Sequence, residues 1–256
     1  MTSVNFIVPV ISAICSFVFA VLIFKRWTKK KGSHLLLWAI GIVMYGIGGL
    51  CEALNSSIGW SSVVFRLWYM FGAVLVAAWL GQGTMYLLLN RRVAHVLMAI
   101  LLIASIYGMI RVLTAELDPS LMTGGINEGN ELSGHAIVTP GVRTLTPFFN
   151  SYGTVALVGG ALWSAIIFWR KKIFPHRALG NVLIAVGALF PAFGGAFSRL
   201  GIPNLLYIAE LLGVILILFG ISPCNDAAEL KGASTPARNY ERFSLRGAFK
   251  IFEYIA

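Results

Sequence analysis

The sequence predicts an all-α integral membrane protein, built as a bundle of seven transmembrane helices. Only 12% of its 256 residues are charged and 58% are hydrophobic, whereas soluble domains carry about 25% charged residues. The chain also contains seven apolar stretches close to the roughly 20 residues that a helix needs to cross a bilayer. These observations, with a mean hydropathy of +0.82, argue against a soluble enzyme, a disordered chain and a nucleic-acid-binding protein.

The predicted spans follow one another along the chain with short connections except at one place. Backbone polar groups in lipid must be hydrogen-bonded within their own segment, so each apolar stretch is expected to be helical. The spans lie near residues 5–24, 35–54, 63–89, 93–114, 151–169, 178–200 and 205–222.

Polar connections separate these spans. Span one ends at the basic loop KRWTKKKGSH, span two at NSSIGWSS, and span five at the basic loop RKKIFPHR. The one long connection, residues 115–150, is rich in Gly, Asn and Pro and is expected to be either a lid or a flexible loop. Residues 1–222 thus form a transmembrane domain, and residues 223–256 form a cytoplasmic tail. That tail mixes aromatic and basic residues, which suits an interfacial amphipathic helix; an undocked tail is the alternative.

The positive charges predict which side of the membrane each loop occupies. Short cytoplasmic loops retain Lys and Arg, and the first, third and fifth loops together hold eleven: Lys25, Arg26, Lys29, Lys30, Lys31, Arg91, Arg92, Arg170, Lys171, Lys172 and Arg177. The opposite side holds the acidic 115–150 loop. The N-terminus is therefore predicted outside and the C-terminus inside a cell membrane, with anionic inner-leaflet lipids as partners of the basic loops. Membrane-protein partners or a homo-oligomer remain open, and no nucleic-acid partner is expected.

Spans two and six resemble each other in sequence. Residues 39–54 read AIGIVMYGIGGLCEAL and residues 185–200 read AVGALFPAFGGAFSRL, so that three glycine positions coincide. This predicts a parallel 3+1+3 internal repeat, with chance coincidence among small residues as the alternative. In either case the glycines allow helix backbones to approach closely.

The topology resembles that of microbial rhodopsins, whose last span holds a lysine that binds retinal covalently. Span seven, LLYIAELLGVILILFGIS, contains no lysine, so covalent retinal is excluded. No other cofactor is identifiable, and no metal-ligand spacing or catalytic motif is present. The sequence therefore predicts no enzymatic activity.

Intramembrane charges are the candidate functional residues, because a charge at the bilayer centre costs about 2.5–3.5 kcal/mol on insertion scales. They lie towards the outer ends of the predicted helices, with Glu210 the deepest. An outward-facing vestibule that binds a small polar or anionic ligand is one interpretation. Interhelical ion pairs and snorkelling arginines are the other. The predicted vestibule residues are Glu52, Arg66, Arg111, Arg199, Glu210, Tyr69 and Tyr207.

Three functions from different classes remain open at this stage. The first is a binding protein that uses the vestibule to sense or transport a solute, with Glu210 as a protonatable switch. The second is an accessory or structural subunit of a larger membrane complex, which the short loops and the lack of catalytic motifs favour. The third is a signalling receptor whose basic inner loops and tail contact a cytoplasmic partner.

The predicted orientation can be tested by cysteine labelling in intact cells. In a cysteine-free background, Ser57→Cys is expected to react with a membrane-impermeant maleimide, whereas Thr28→Cys is expected to react only after permeabilisation. Labelling of Thr28→Cys in intact cells would contradict the orientation.

Overall fold

The computed structural model describes residues 4–122, 134–170, 175–199 and 204–221. The predicted tail and the centre of the 115–150 loop lie outside these residues. The described chain is mainly helical and carries seven main helices, numbered here in chain order. They are α1 (Val4–Lys30), α2 (Ser33–Ile58), α3 (Ser62–Leu88), α4 (Arg91–Thr114), α5 (Leu145–Arg170), α6 (Pro175–Arg199) and α7 (Asn204–Ile221).

The described helices overlap the residues of the predicted spans, while a set of seven membrane crossings stays a prediction. Helices α1 to α5 are long and apolar enough to cross a membrane, and α6 and α7 contribute the shorter apolar stretches Leu179–Gly195 and Leu205–Gly220. Helix α5 begins at Leu145, six residues before the predicted span. The added residues are Leu145–Asn150.

Side-chain caps and glycine fix the helix ends. The side chain of Asn90 accepts a hydrogen bond from the backbone N–H of Val93 at the start of α4, and Ser61 does the same for Val64 at the start of α3. Such caps satisfy backbone donors that have no partner within the helix. Helix α2 stops at Gly59, whose φ of 79° favours glycine.

Six of the helices form a closed ring, in the order α1, α2, α3, α5, α6, α7 and back to α1. Helix α4 lies outside this ring, mainly against α3. Its outward side chains are apolar, and Ile103 is 71% exposed. A helix whose exposed face is apolar is suited to contact with lipid rather than with water.

Glycines allow neighbouring helices to approach more closely than any side chain would permit. A Cβ atom on Gly48 of α2 would lie 3.0 Å from the Cα atom of Gly72 in α3. A Cβ atom on Gly153 of α5 would lie 2.3 Å from the carbonyl carbon of Ala77 in α3. Small residues at these contacts are the usual basis of helix association in membranes, where burial of apolar surface gives little driving force.

The glycines shared by spans two and six occupy related places. Gly41 and Gly48 of α2 face α3, the next helix, and Gly187 and Gly194 of α6 face α7, again the next helix. The third pair differs, because Gly49 packs against α1 whereas Gly195 has no atom near its Cβ position within 4 Å. The internal repeat stays a prediction that two of its three glycine pairs favour.

Two helices contain π-helical segments, which the sequence analysis did not predict. In α3 the segment is Trp68–Leu75, and in α5 it is Val155–Gly159. The amide of Asn150 in α5 donates to the carbonyl oxygen of Ala73 in the first segment at 3.1 Å. Such segments are frequent near functional sites because they displace side chains from regular helical positions.

A glycine exchange tests the close contact between α3 and α5. Gly153→Ala should lower the stability by about 1–3 kcal/mol, because the new methyl group meets the backbone of Ala77 and both helices must shift. Gly159→Ala in the same helix is the matched control, since no atom lies within 4 Å of its Cβ position. Thermal unfolding in lipid nanodiscs measures both, and equal midpoints would contradict the packing.

Candidate functional site

Glu52 is the most deeply buried charged residue that the described chain contains. It lies in α2, is 2% exposed, and its Oε1 atom accepts a hydrogen bond from the indole N–H of Trp68 in α3 at 2.9 Å. Its second oxygen, Oε2, is buried with no donor among the described residues. A buried carboxylate oxygen without a hydrogen-bond partner lowers the stability of the fold, so the groups close to Oε2 matter.

The acidic neighbour of Glu52 is Glu210 of α7. Its carboxyl group lies within hydrogen-bonding reach of the carboxyl group of Glu52. The hydroxyl of Tyr45 in α2 donates to the backbone carbonyl of Glu210 at 2.8 Å, which gives α2 and α7 a second contact. Two ionised carboxylates are acceptors only, so a hydrogen bond between them requires that one of them carry a proton.

The predicted vestibule arginines have other partners. Arg66 of α3 donates from Nη1 to the carbonyl oxygens of Val112 and Leu113, both at 2.6 Å, and from Nη2 to that of Ala115 at 2.8 Å. These carbonyls terminate α4, where a cation is favoured by the helix dipole and by the unpaired carbonyl groups. Arg66 therefore fastens the end of α4 to α3.

Arg111 of α4 has a similar structural contact. Its Nη2 atom donates to the carbonyl oxygen of Pro140 in the outer loop at 2.7 Å, and its guanidinium group lies 5.9 Å from the ring centre of Tyr107. The third predicted arginine, Arg199, ends α6, and its side chain lies outside the described residues. The structure thus brings Glu52 and Glu210 together, whereas the described contacts of Arg66 and Arg111 are with backbone carbonyls.

The two predicted tyrosines lie in α3 and α7, and both are buried. Tyr69 of α3 follows Trp68, and its hydroxyl is 2.8 Å from the hydroxyl of Thr146 in α5. Tyr207 of α7 is 4% exposed and precedes Glu210 by about one helical turn. Trp60, Phe65, Trp68 and Tyr69 form a contiguous aromatic cluster, with ring centres 5.4–6.3 Å apart.

The described parts of the 115–150 loop pack against Tyr69 of this cluster. Leu117 pairs with Ile137 as an antiparallel bridge, and Gly134 lies so close to Tyr69 that a Cβ atom would be 2.5 Å from Cε2 of the ring. Near the bridge, the side-chain hydroxyl and then the backbone N–H of Ser120 donate to Asp118 and lower the pKa of that exposed carboxyl. The described parts of the loop therefore form an ordered cover over the aromatic side chains.

Sequence reasoning missed two residues that hold the acid pair, Trp68 and Tyr45. Tyr45 precedes Glu52 by seven residues, which places both on one face of α2 after two turns, so helical spacing carries a signal for it. Trp68 has no such signal because its contact is between helices. A second missed network lies around Gln82 in α3, which donates to the carbonyl of Ala94 at 2.9 Å and accepts from the hydroxyl of Tyr152.

No group of three His, Cys, Asp or Glu side chains in the described chain is placed to hold a metal ion. Cys15 and Cys51 are free thiols. The chemistry that the described site offers is therefore that of two adjacent carboxyl groups, held by an indole donor and a tyrosine, inside an apolar bundle.

The structural role of Arg66 can be separated from a ligand-binding role. Arg66→Met keeps most of the apolar stem but removes hydrogen bonds from a charged donor, so stability should fall by about 1.5–3 kcal/mol. Hydrogen exchange should rise at the end of α4, around residues 112–115. Arg143→Met, at an exposed arginine near α5, is the control. Unchanged exchange in Arg66→Met would contradict the role.

Comparison with known proteins agrees with this architecture. A family model described as the N-terminal 7TM region of histidine kinase matches residues 8–223, which is most of the chain. No curated protein and no solved structure matches it. The family description indicates a sensory or signalling receptor in a membrane. The apolar helices and this match together identify the chain as a multi-pass integral membrane protein that belongs to the family of N-terminal seven-transmembrane regions of histidine kinases.

Proposed function

We propose that this chain is the sensory region of a signalling receptor and that it detects a small polar or ionic ligand at the Glu52–Glu210 pair. The proposal includes seven membrane spans, with α6 and α7 completing the set, and an external N-terminus. The positive charges of the first, third and fifth loops support that orientation.

The observation that carries the proposal is the contact between α2 and α7. Glu52 and Glu210 lie in helices far apart in sequence, and their carboxyl groups are within hydrogen-bonding reach inside the bundle. Buried acids in a membrane helix are costly and are therefore candidates for function. A ligand that changes the charge or the hydrogen bonding of this pair changes the interaction between the two helices.

Helix α7 provides the route by which such a change leaves the membrane. The matched family is described as an N-terminal region of histidine kinases, so a signal has to pass towards the C-terminal side. Helix α7 is the last helix of the described chain, and it packs against both α6 and α1. Displacement of α7 relative to α2 is the movement that we propose the ligand controls, because a ligand acts only through its different affinity for two states.

A role as an accessory subunit of a larger membrane complex is the second candidate. The observation that favours it is the apolar exposed surface of α4. This helix packs mainly on α3 and leaves side chains such as Val96 and Ile103 exposed. Lipid covers such a face as well as a protein subunit does, so the apolar composition of α4 does not distinguish the two functions. The proteins that copurify with the chain do distinguish them.

Native mass spectrometry after gentle extraction from the native membrane distinguishes these functions. The receptor proposal predicts a monomer or homo-oligomer without a stoichiometric membrane-protein subunit of another kind. A stoichiometric heterologous membrane subunit would contradict it and favour the accessory role.

A further inference from the structure

We infer that the ligand of the Glu52–Glu210 pair is a proton, shared between the two carboxyl groups, and that its loss weakens the contact between α2 and α7. This inference rests on the proposed function for its consequence in signalling. The binding of the proton stands on the geometry of the site alone.

The hydrogen-bond donors and acceptors of the site can accommodate one additional proton. Trp68 satisfies Oε1 of Glu52, whereas Oε2 has no donor among the described residues. The carboxyl group within reach is that of Glu210. A proton on Glu210 turns that side chain from an acceptor into a donor and gives Glu52 the hydrogen bond that it lacks.

The surrounding charges favour the singly protonated state. Tyr45 and Cys51 of α2 interact with the pair, and both are neutral in their ordinary states. The other titratable side chains near this level in the sequence are Tyr69 of α3 and Tyr207 of α7, which are also ordinarily neutral. Arg66 of α3 is engaged with the end of α4, and the side chain of Arg199 on α6 lies outside the described residues.

Two adjacent negative charges with no described cation beside them repel each other strongly in a medium of low dielectric. Carboxyl pairs that share a single proton are the known solution to this problem. Anionic ligands face the same repulsion, so this site excludes the anion that the vestibule arginines suggested. A proton also fits the observed packing, because it needs no cavity.

Polar residues follow Glu52 towards the predicted outer end of α2. Asn55 and Ser56 follow Glu52 by about one turn, and the hydroxyl of Ser56 donates to the backbone carbonyl of Asn5 at 2.6 Å. The side-chain oxygens of Asn55 and Asn5 and the indole nitrogen of Trp60 are buried without a described partner. Buried polar atoms of this kind are usually satisfied by water, which supplies a path for protons from outside.

Loss of the proton has a mechanical consequence. The proton leaves to water along that path, both carboxyl groups become ionised, and the attraction between Glu52 and Glu210 becomes a repulsion. The hydrogen bond from Tyr45 to the carbonyl of Glu210 lies on the same interface and is strained by the same movement. External alkalinisation therefore favours separation of α7 from α2, and acidification favours the closed contact described here.

Infrared difference spectroscopy of the full chain in lipid nanodiscs tests the shared proton. Spectra recorded between acidic and alkaline buffers should show one carboxylic-acid C=O band that shifts on ¹³C-glutamate labelling. Glu52→Gln and Glu210→Gln should each remove or displace this same band. Glu116→Gln, at an exposed acid of the outer loop, is the matched control and should leave it in place.

Three results would overturn the shared proton. One is the absence of any titrating band that shifts with ¹³C-glutamate in the unaltered chain, a measurement that does not depend on the folding of a variant. Another is two bands, each removed by one variant only, because that indicates two independent acids. The third is a band titration that moves when sodium chloride replaces choline chloride at equal ionic strength, because a metal cation then competes for the site.

A distance measurement separates proton binding from the proposed signalling. Spin labels at Ser57 of α2 and Leu205 of α7, both exposed, report the spacing of the two helices in a cysteine-free background. The distance should increase from acidic to alkaline buffer in the parent chain and stay constant in Glu210→Gln. A titrating band with an invariant distance would support the proton site and contradict the proposed function of the pair as a sensor.

Discussion

In hydrocarbon, a polar group that lacks a protein partner cannot form a hydrogen bond with water instead, and the whole structure depends on this constraint. The backbone meets it by remaining helical across each apolar stretch. The side chains meet it by bonding between helices, as Trp68 does with Glu52 and as Asn150 does with the carbonyl of Ala73. Glycines such as Gly48 and Gly153 bring the backbones of neighbouring helices close together.

The same constraint separates the charged residues into two groups. Arginines have several donors in a planar group, and Arg66 and Arg111 place theirs on carbonyl groups at the end of α4 and in the outer loop. Carboxyl groups have only acceptors when ionised, and the donors near Glu52 are too few. Oε2 of Glu52 is consequently one of the buried polar atoms that have no described hydrogen-bond partner.

Under the proposed function, this arrangement provides a simple physical means of detection. Helices α1 and α2 pack extensively together, as do α6 and α7, and the ring closes through the contact of α1 with α7. The acid pair and Tyr45 lie where α2 meets α7, and this is the contact that the proposed loss of the proton weakens. A change of one unit of charge there acts on helix packing directly, without a long chain of intermediate residues.

The sequence by itself determined the membrane class, the approximate position of each helix and the residues Glu52 and Glu210 as candidates. Hydropathy and the cost of a buried charge are local properties that each segment carries alone. Only the tertiary structure decided that these two acids meet, that Trp68 and Tyr45 contact them, and that Arg66 donates to the carbonyl groups at the end of α4. Those outcomes depend on which helix faces are neighbours, and the faces are selected by close glycine contacts and π-helical segments that shift side chains around the helix. No periodicity in one segment contains that information, because it arises when two segments pack.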